Sequence, residues 1–294
     1  DASALHVKIA DEAILIGPPP PSESYLNIEA IIGAANETGA EAIHPGYGFL
    51  SENAAFVLAC EKAGIRFIGP SGEVMDLMKD KAQARKLAEA AGLPLLPGTD
   101  SENTNDQITT LAQDIGFPLM VKASYGGGGI GIRIVESPEQ LLESIERASS
   151  LAQNAFGNSS LYLEKYLNSP SHVEVQILAD QHGNAIHLFE RDCSVQRRNQ
   201  KIIEETPCVK LDDTQRQAMY QAALNLVHYI GYTNAGTVEF LVDNDGSFYF
   251  MEMNTRLQVE HPVTEMTTKL DIVEWQLRIA AGESPTFSQK DVNL

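Results

Sequence analysis

Two runs of alternating side chains, residues 237–243 and 248–254, flank Asp245-Gly246 and predict a β-hairpin, because Asp-Gly between such runs is a strong turn signal. If these two residues form the loop, Glu239 of the first arm pairs directly with Glu252 of the second. Two like charges opposite each other destabilise a hairpin, so another group has to balance them. The pattern therefore predicts an antiparallel sheet that carries two facing carboxylates.

The same register pairs Asn244 with Ser247 and leads into a polar stretch, FYFMEMNTRLQVEHPVTE, at residues 248–265. Strand side chains alternate between faces, so Glu252, Asn254 and Arg256 share one face. The opposite face carries Tyr249, Met251 and Met253. A loop of another length would break this register.

A divalent metal ion would remove the conflict between the two facing carboxylates. Glu239, Glu252 and Asn254 offer two carboxylates and an amide oxygen, an all-oxygen ligand set that suits Mg2+ or Mn2+ shared with substrate phosphates. We therefore predict a metal site at these three residues. The alternative is an exposed hairpin with scattered acids, which is common in a chain of net charge -19.

The composition indicates a globular chain and excludes several classes of partner. With 294 residues, 43% of them hydrophobic, the chain is long enough for two or three subdomains. The net charge of -19 argues against nucleic acid and anionic membranes as partners, and no apolar run approaches the length of a membrane span. The cysteines Cys60, Cys193 and Cys208 are isolated, so we expect a reducing, cytoplasmic setting.

The charge reverses sign locally in ERDCSVQRRNQK, where Arg191, Arg197, Arg198 and Lys201 cluster. A basic patch in an acidic protein predicts a small anionic substrate. The alternative is a solvated strand end whose arginines pair with neighbouring acids.

Short strands and helices alternate through residues 13–69, which is typical of a parallel sheet. The strands are predicted at residues 13–17, 41–45 and 66–69, with helices at 27–38 and 52–63 between them. No GxGxxG dinucleotide motif is present in residues 13–69. The expected fold class is α/β, with four segments at residues 1–70 (a partial N-terminal domain), 71–94 (a helical connector), 95–167 (a lid with a glycine-rich flap) and 168–294 (a core with an antiparallel sheet).

Lys122 stands on a predicted strand, and glycines follow it at residues 126–129 and 131 in LMVKASYGGGGIGIR. Consecutive glycines let backbone N–H groups close around phosphate oxygens, and the adjacent lysine adds a positive charge. The loop is not a Walker A motif, since GK[ST] is missing and a strand follows it. We predict a phosphate-binding flap, and the alternative is a glycine-rich surface hairpin.

Taken together, these segments resemble those of biotin carboxylase, the ATP-grasp component of biotin-dependent carboxylases. The matching segments, in the family's order, are HPGYGFLSEN (44–53), FIGPS (67–71), KASYGGGG (122–129), EKYL (164–167), HVEVQ (172–176), ERDCSVQRR (190–198), EMNTRLQVEHPVTE (252–265) and QLRIAAGE (276–283). The resemblance spans essentially the whole chain, and EMNTRLQVEHPVTE is highly specific. It implies an ATP-grasp fold in which a partial Rossmann-like parallel sheet precedes an ATP-grasp lid and core.

The resemblance also implies roles for individual residues. ATP would be contacted by Lys81, Lys122, Gly128, Gly129, Glu164, Lys165, Tyr166, Leu167, His172, Gln196, Asn199 and Glu239. The implied metal ligands are Glu239, Glu252 and Asn254, in agreement with the hairpin. Bicarbonate would be bound by Lys201, Arg256, Gln258 and Val259, with Glu260 as general base and Lys201 and Arg256 also acting in catalysis.

The implied activity is ATP- and bicarbonate-dependent carboxylation of biotin through carboxyphosphate, as part of an acyl-CoA, pyruvate or urea carboxylase. The cofactors that the resemblance implies are ATP, Mg2+ or Mn2+, and biotin. No Ala-Met-Lys-Met biotinylation motif occurs in the chain, so a biotin carboxyl carrier and a carboxyltransferase are expected as partners, on separate domains or proteins. A homodimer is a further implied state.

This sequence departs from the family pattern in three places. Asn199 stands where the family usually has histidine, and Ile130 stands where many relatives have a basic residue. Both changes are expected to weaken contacts with the nucleotide, because neither side chain carries charge. The alternative is that both mark a subfamily, such as the urea or acyl-CoA carboxylases. The family's first strand and its C-terminal subdomain, which carries the arginine that steadies biotin, fall outside these 294 residues, so we expect a fragment of a longer protein.

Two other functions are compatible with the sequence. Another ATP-grasp carboxylate–amine ligase would share the fold, although Lys201 and the cluster from Arg256 to Glu260 favour bicarbonate. A screen of ATP turnover against bicarbonate, ammonia and amino acids separates these enzymes. The third hypothesis is a nucleotide-binding module without catalysis. Mg-ATP binding that is absent in calorimetry, or unaffected by Glu239→Lys, would remove both enzyme hypotheses.

We predict that residues 1–294 alone carboxylate biotin slowly or not at all, because the family's biotin-steadying arginine lies outside them. The measurement is ATP hydrolysis by this polypeptide with bicarbonate and free biotin added singly and together. A robust rate that depends on both compounds would contradict the prediction.

Overall fold

The structure is a computed structural model that describes residues 2–99, 105–124 and 132–294. The described helices are α1 (Leu5–Ile9), α2 (Ile28–Thr38), α3 (Ala54–Lys62), α4 (Gly72–Lys79), α5 (Lys81–Ala90), α6 (Asn105–Ile115), α7 (Leu141–Phe156), α8 (Asp213–Tyr229), α9 (His261–Thr268) and α10 (Ile272–Ala280). The described strands are β1 (Ala42–Ile43), β2 (Arg66–Phe67), β3 (Leu119–Ala123), β4 (Arg133–Val135), β5 (Leu161–Lys165), β6 (Ser171–Ala179), β7 (Ala185–Arg197), β8 (Gln200–Glu205), β9 (Asn234–Val242) and β10 (Phe248–Asn254). None of these helices is long and apolar enough to cross a lipid bilayer.

The first sheet is the predicted parallel pair. β1 and β2 run parallel, with Ala42 opposite Arg66. Asn27 and Asn53 begin α2 and α3, because each side-chain oxygen accepts a backbone N–H of the first helical turn. Gly39 ends α2 in the left-handed conformation, with a φ of 68°.

The predicted strand at residues 13–17 is wrong. These residues adopt no regular structure, and Leu15 is 85% exposed. A short apolar run becomes a strand only where its backbone finds a hydrogen-bonding partner. Among the described residues, β1 pairs with β2 alone, so this run has no strand beside it.

The second sheet has the order β4-β3-β5, and β3 is antiparallel to both neighbours. α6 and α7 pack against it around Leu119, Val121 and Ile145. Residues 125–131, which include the predicted flap glycines Gly128 and Gly129, lie outside the described residues. The boundaries of the four predicted segments stay a prediction.

The third sheet has the order β10-β9-β6-β7-β8 and is antiparallel throughout. Val173 and Val175 of its central strand β6 pack into the largest core, together with α8. Glu174 and Gln176 point to the opposite side, as strand alternation requires. On that side α10 covers the apolar end of β6 near Leu178, and the polar end lies under a cavity.

The hairpin between β9 and β10 differs from the prediction at its turn. Asp243 N–H donates to Ser247 C=O at 2.8 Å, and Gly246 N–H donates to Asp243 C=O at 3.0 Å. The loop therefore has three residues, Asn244 to Gly246, and the predicted pair of Asn244 with Ser247 is wrong. Gly246 makes this turn accessible, because its φ of 84° is one that glycine adopts without strain.

A β-bulge at Met251 then restores the register. Beyond the bulge Glu252 pairs with Glu239, as predicted. The extra residue in the turn is thus compensated by an extra residue in β10. The bulge also places Met251 in the cavity wall beside Glu252, while Met253 enters the core, so the prediction that these two methionines share a face is wrong.

His187 on β7 is buried in the core beneath the third sheet. It is 6% exposed and stacks on Tyr220 of α8, with ring centroids 3.9 Å apart. Burial lowers the pKa of His187 from 6.5 to about 4, against the opposing charge of Glu190. Between these two pH values the unfolded chain binds a proton that the folded protein does not, so the free energy of unfolding falls as the pH is lowered.

We predict that the loss of stability caused by protonation of His187 is complete near pH 4 and absent above pH 6.5, and that His187→Gln removes this pH dependence. Urea unfolding of the wild type and the variant at a series of pH values measures the two slopes. His6→Gln, on the exposed helix α1, is the control and keeps the wild-type slope. Equal slopes for the wild type and His187→Gln would contradict the prediction.

Candidate functional site

A cavity of about 850 Å3 lies between the second and third sheets. Its walls bring together the described residues that were predicted to form the site. They are Lys81, Lys122, Glu164, Lys165, Tyr166, Leu167, His172, Gln196, Asn199, Lys201, Glu239, Glu252, Asn254, Arg256, Gln258, Val259 and Glu260. Gly128 and Gly129 lie outside the described residues. The individual roles of all these residues stay predictions.

Lys201 lies at the centre of the polar end of the cavity. Its Nζ is 2.5 Å from Glu174 Oε2, 3.0 Å from Glu239 Oε1 and 2.6 Å from Glu260 Oε1. Burial alone would lower the pKa of Lys201, but the charges of Glu239 and Glu174 outweigh it and raise the pKa above its ordinary value. Lys201 therefore stays protonated in the pH range in which proteins are folded.

Glu239 is held by neutral amides as well as by cations. Its Oε1 accepts from Asn254 Nδ2 at 2.7 Å and from Gln258 Nε2 at 2.9 Å, and its Oε2 lies 2.9 Å from His172 Nε2. Burial opposes its ionisation, but His172 and Lys201 outweigh burial and hold the pKa of Glu239 below its ordinary value. The carboxylate is therefore fully ionised.

His172 has a polar side chain close to each of its two ring nitrogens. Nδ1 lies 2.9 Å from Gln196 Nε2, and Nε2 faces Glu239. Burial would lower the pKa of His172, but the close contact with the negatively charged Glu239 raises it overall. Gln196 thus contacts the site through His172, in addition to lining the cavity.

Glu252 pairs with Lys81 at the start of α5, with Nζ 2.7 Å from Oε2. Burial raises the pKa of Glu252, but Lys81 outweighs it, so the pKa lies below its ordinary value. Glu239 and Glu252 are thus two ionised carboxylates at facing strand positions, with Asn254 beside them. The carboxylate and amide oxygens of these side chains are of the type that suits Mg2+ or Mn2+. Asn254 presents Nδ2 to Glu239 and Oδ1 to Arg256, so its amide would have to turn to bind a metal ion. The ion would replace Lys81 and Lys201 as the partner of the carboxylates.

Arg256 is tied to a distant part of the chain. Its Nε donates to Glu52 Oε2 at 2.9 Å, and a terminal nitrogen donates to Asn254 Oδ1 at 3.1 Å. Glu52 Oε1 also accepts the backbone N–H of Thr255 at 3.1 Å. Glu52 was not among the predicted residues, although it belongs to the HPGYGFLSEN segment.

Glu174 was also absent from the predicted set, and it lies at the centre of the site. It pairs with Glu239 across β6 and β9 and is fully buried. Alternation in HVEVQ places it on the face of His172, which was the signal that could have identified it. Together with His172 and Glu239 it forms a group whose possible metal-binding atoms lie within 4.8 Å of one another.

The predicted basic patch is not a single surface. Lys201 lines the cavity, whereas Arg191 is fully buried beneath it and pairs with Glu174 at 2.7 Å. Arg197 and Arg198 are exposed at the end of the β7–β8 hairpin. The patch divides because successive residues of a strand and its turn face different environments.

Asn199 lines the cavity from that turn. Arg197 pairs with Gln200, and the two residues between them, Arg198 and Asn199, have φ values of 54° and 61°. A two-residue turn of this kind needs two left-handed residues, and asparagine adopts that conformation more readily than most side chains do. The departure at Asn199 is therefore compatible with the turn.

The EKYL segment forms the wall on the side of the second sheet. The buried carboxylate of Glu164 pairs with both Lys122 and Arg85. Lys165 N–H donates to Pro97 C=O at 2.8 Å, and Tyr166 N–H donates to Pro118 C=O at 3.2 Å. In the part of the chain that the structure describes, Leu167 N–H has no protein acceptor, so it is the backbone donor of this segment that a bound base could use.

Two family models match the chain. The model described as "Biotin carboxylase, N-terminal domain" matches residues 1–75. The model described as "Carbamoyl-phosphate synthase L chain, ATP binding domain" matches residues 80–286. The two matches together cover nearly the whole chain.

Curated relatives are similar over the full length of this chain. A pyruvate carboxylase subunit from Methanothermobacter thermautotrophicus is 51% identical over 100% of this chain and 60% of its own length. Biotin carboxylase 2 from Bacillus subtilis is 55% identical over 99% of this chain and 66% of its own length. The chain thus spans less than two thirds of these relatives.

Solved structures give the same result for the fold. A biotin carboxylase–beta-gamma-ATP complex from Campylobacter jejuni matches with a TM-score of 0.96 at 49% identity, over 99% of this chain and 65% of that one. The biotin carboxylase domain dimer of 2-oxoglutarate carboxylase from Hydrogenobacter thermophilus, in complex with MgADP, ADP and bicarbonate, matches with a TM-score of 0.94 at 50% identity, over 99% and 64%. The predicted α/β ATP-grasp fold is confirmed.

The contribution of the ion pair between Arg85 and Glu164, in the cavity wall on the side of the second sheet, can be tested by mutation. Arg85→Met leaves a buried carboxylate with Lys122 as its remaining cation, and we predict a loss of about 3 kcal/mol in the free energy of unfolding. Arg147→Met is the control, because Arg147 pairs with Glu143 on the surface of α7, and it should cost less than about 0.5 kcal/mol. Urea unfolding measures both values. Equal losses would contradict the prediction.

Proposed function

The chain belongs to the biotin carboxylase family, and we propose that it forms the site at which ATP and bicarbonate carboxylate biotin on a carrier. The activity of the whole protein is part of this proposal, because the chain spans 60% to 66% of these relatives. One contact supports it best: Lys201 Nζ lies 2.6 Å from Glu260 Oε1 in a cavity that Arg256 and Gln258 also line. A carboxylate that can act as a base, Glu260, thus lies beside Lys201, a cation, and near Arg256 and Gln258, which can bind an anion.

Bicarbonate has to lose a proton and be held in place before it attacks. Glu260 accepts the proton of the bicarbonate hydroxyl group. Lys201 and Arg256 bind the negatively charged oxygens, and the Gln258 amide helps to orient them. Val259, which lies between Gln258 and Glu260 in the sequence, also lines the cavity.

The triphosphate of ATP would lie on the opposite side, where Lys81 and Lys122 enter from α5 and β3. A bicarbonate oxygen bonds to the γ-phosphorus as the bond to the ADP oxygen breaks, which gives carboxyphosphate and ADP. A divalent metal ion held by Glu239, Glu252 and Asn254 would neutralise phosphate charge. The protein side chains contribute positioning and charge, as is usual in phosphoryl transfer.

Carboxyphosphate then separates into carbon dioxide and phosphate. The phosphate takes the proton of the biotin nitrogen, and that nitrogen bonds to carbon dioxide. We propose a biotin carrier and a carboxyltransferase as partners, and a homodimer as the assembly, since the Hydrogenobacter relative is described as a dimer. The proposed final acceptor is an acyl-CoA or a 2-oxo acid, in line with the names of the relatives.

The test is bicarbonate-dependent ATP hydrolysis by the full-length protein that contains this chain. Glu260→Gln keeps the size of the side chain but cannot accept the proton, so we predict a fall in kcat of at least about 100-fold. Glu283→Gln, on an exposed pair with Arg278, is the control and keeps the wild-type rate. ATP turnover that responds to ammonia or to an amino acid but not to bicarbonate would overturn the proposal in favour of another ATP-grasp ligase.

A further inference from the structure

Arg191 is a fully buried cation that lies beneath the cavity without lining it. It stands on β7, and its guanidinium group contacts residues of β6, of β9, and of the segment that follows β10. The acceptors, with their distances, are Glu174 Oε1 (2.7 Å), Gln176 Oε1 (2.8 Å), Thr264 Oγ1 (2.9 Å), Gln258 Oε1 (2.6 Å) and Thr237 Oγ1 (3.5 Å). A charge so completely enclosed is stable only because its donors are paired.

The first consequence concerns charge. Glu174, Glu239 and Glu260 surround Lys201, so three carboxylates share one ammonium group at this end of the cavity. Arg191 binds one oxygen of Glu174 and leaves the other to Lys201. Without Arg191 the negative charge of Glu174 would be balanced mainly by Lys201, with His172 Nε2 farther away at 3.9 Å, and an anion would meet a more negative site.

The second consequence concerns the direction of an amide. Arginine has hydrogen-bond donors and no acceptor, so it can bind only the oxygen of the Gln258 side chain. The Nε2 group of Gln258 is therefore turned toward Glu239 and Glu174, at 2.9 Å and 3.4 Å. Gln258 is itself buried, so no water competes for this orientation. Arg191 on one side and the two carboxylates on the other thus fix together which end of the amide faces the polar part of the cavity.

We propose that Arg191 is a positioning residue for the anionic substrate, acting through Glu174 and Gln258 without touching the substrate. The inference rests on the proposed function, in which Gln258 and Lys201 hold bicarbonate. In this role Arg191 offsets the negative charge of Glu174 at the bicarbonate end of the cavity and takes no part in binding the nucleotide.

The experiment uses the full-length protein and compares the KM for bicarbonate with the KM for ATP. Arg191→Met should raise the KM for bicarbonate by at least about 10-fold and change the KM for ATP by less than about threefold, because its partners lie at the bicarbonate end. Arg191→Lys keeps the charge beside Glu174 but has no planar group to hold Gln258, so its KM for bicarbonate should lie between those of the wild type and Arg191→Met.

Arg216→Met is the matched control. Arg216 also pairs with a buried carboxylate, Glu190, at 2.8 Å, but it does not line the cavity or contact Gln258. It should lower the melting temperature and leave both KM values unchanged. Arg191→Met with the same melting loss and unchanged KM values would reduce Arg191 to a structural residue.

If Arg191→Met does not fold, Arg191→Lys decides the question, and a wild-type KM for bicarbonate in that variant overturns the inference. The proposed function fails in a different way, because a wild-type protein without bicarbonate-dependent ATP hydrolysis would refute it before any variant is made.

Discussion

Glu174 and Glu239 lie opposite each other on neighbouring strands, and the repulsion between these two buried carboxylates governs the arrangement around them. Lys201 bridges the pair from the cavity side, while Arg191 pairs with Glu174 from below. The β7–β8 hairpin supplies both cations. The fold of the third sheet and the charge of the site therefore cannot vary independently, since loss of either cation would remove one of the two close cationic partners of the buried Glu174 carboxylate.

Much of this arrangement could be predicted from local sequence patterns. Asp-Gly between alternating runs indicated the β9–β10 hairpin, and the pairing of Glu239 with Glu252 followed from it. For Glu174, the alternation in HVEVQ gives the face of the strand that it shares with His172, but not its partner. Its importance depends on β6 lying beside β9, and a contact between strands that far apart in sequence leaves no trace in the periodicity of either one.

The errors have a similar origin. The apolar run at residues 13–17 looked like a strand, but a strand needs a neighbour that periodicity does not reveal. The basic patch was recognised by its composition, whereas burial separated Arg191 from Arg197 and Arg198. The expectation for Asn199 considered charge alone, whereas its positive φ shows that the turn also favours a residue that adopts the left-handed conformation; the effect of Asn199 on nucleotide binding stays a prediction.

The three-residue turn and the bulge at Met251 together have a consequence for how this hairpin can change. Side chains alternate between the two faces of a strand, so one added residue moves every later side chain to the opposite face of the sheet. The turn and the bulge each add one residue, so their effects cancel before Glu252 is reached. A single insertion or deletion between Glu239 and Glu252 would therefore move Glu252 to the opposite face of the sheet. A second change of the same kind between these two residues would return it to the face of Glu239.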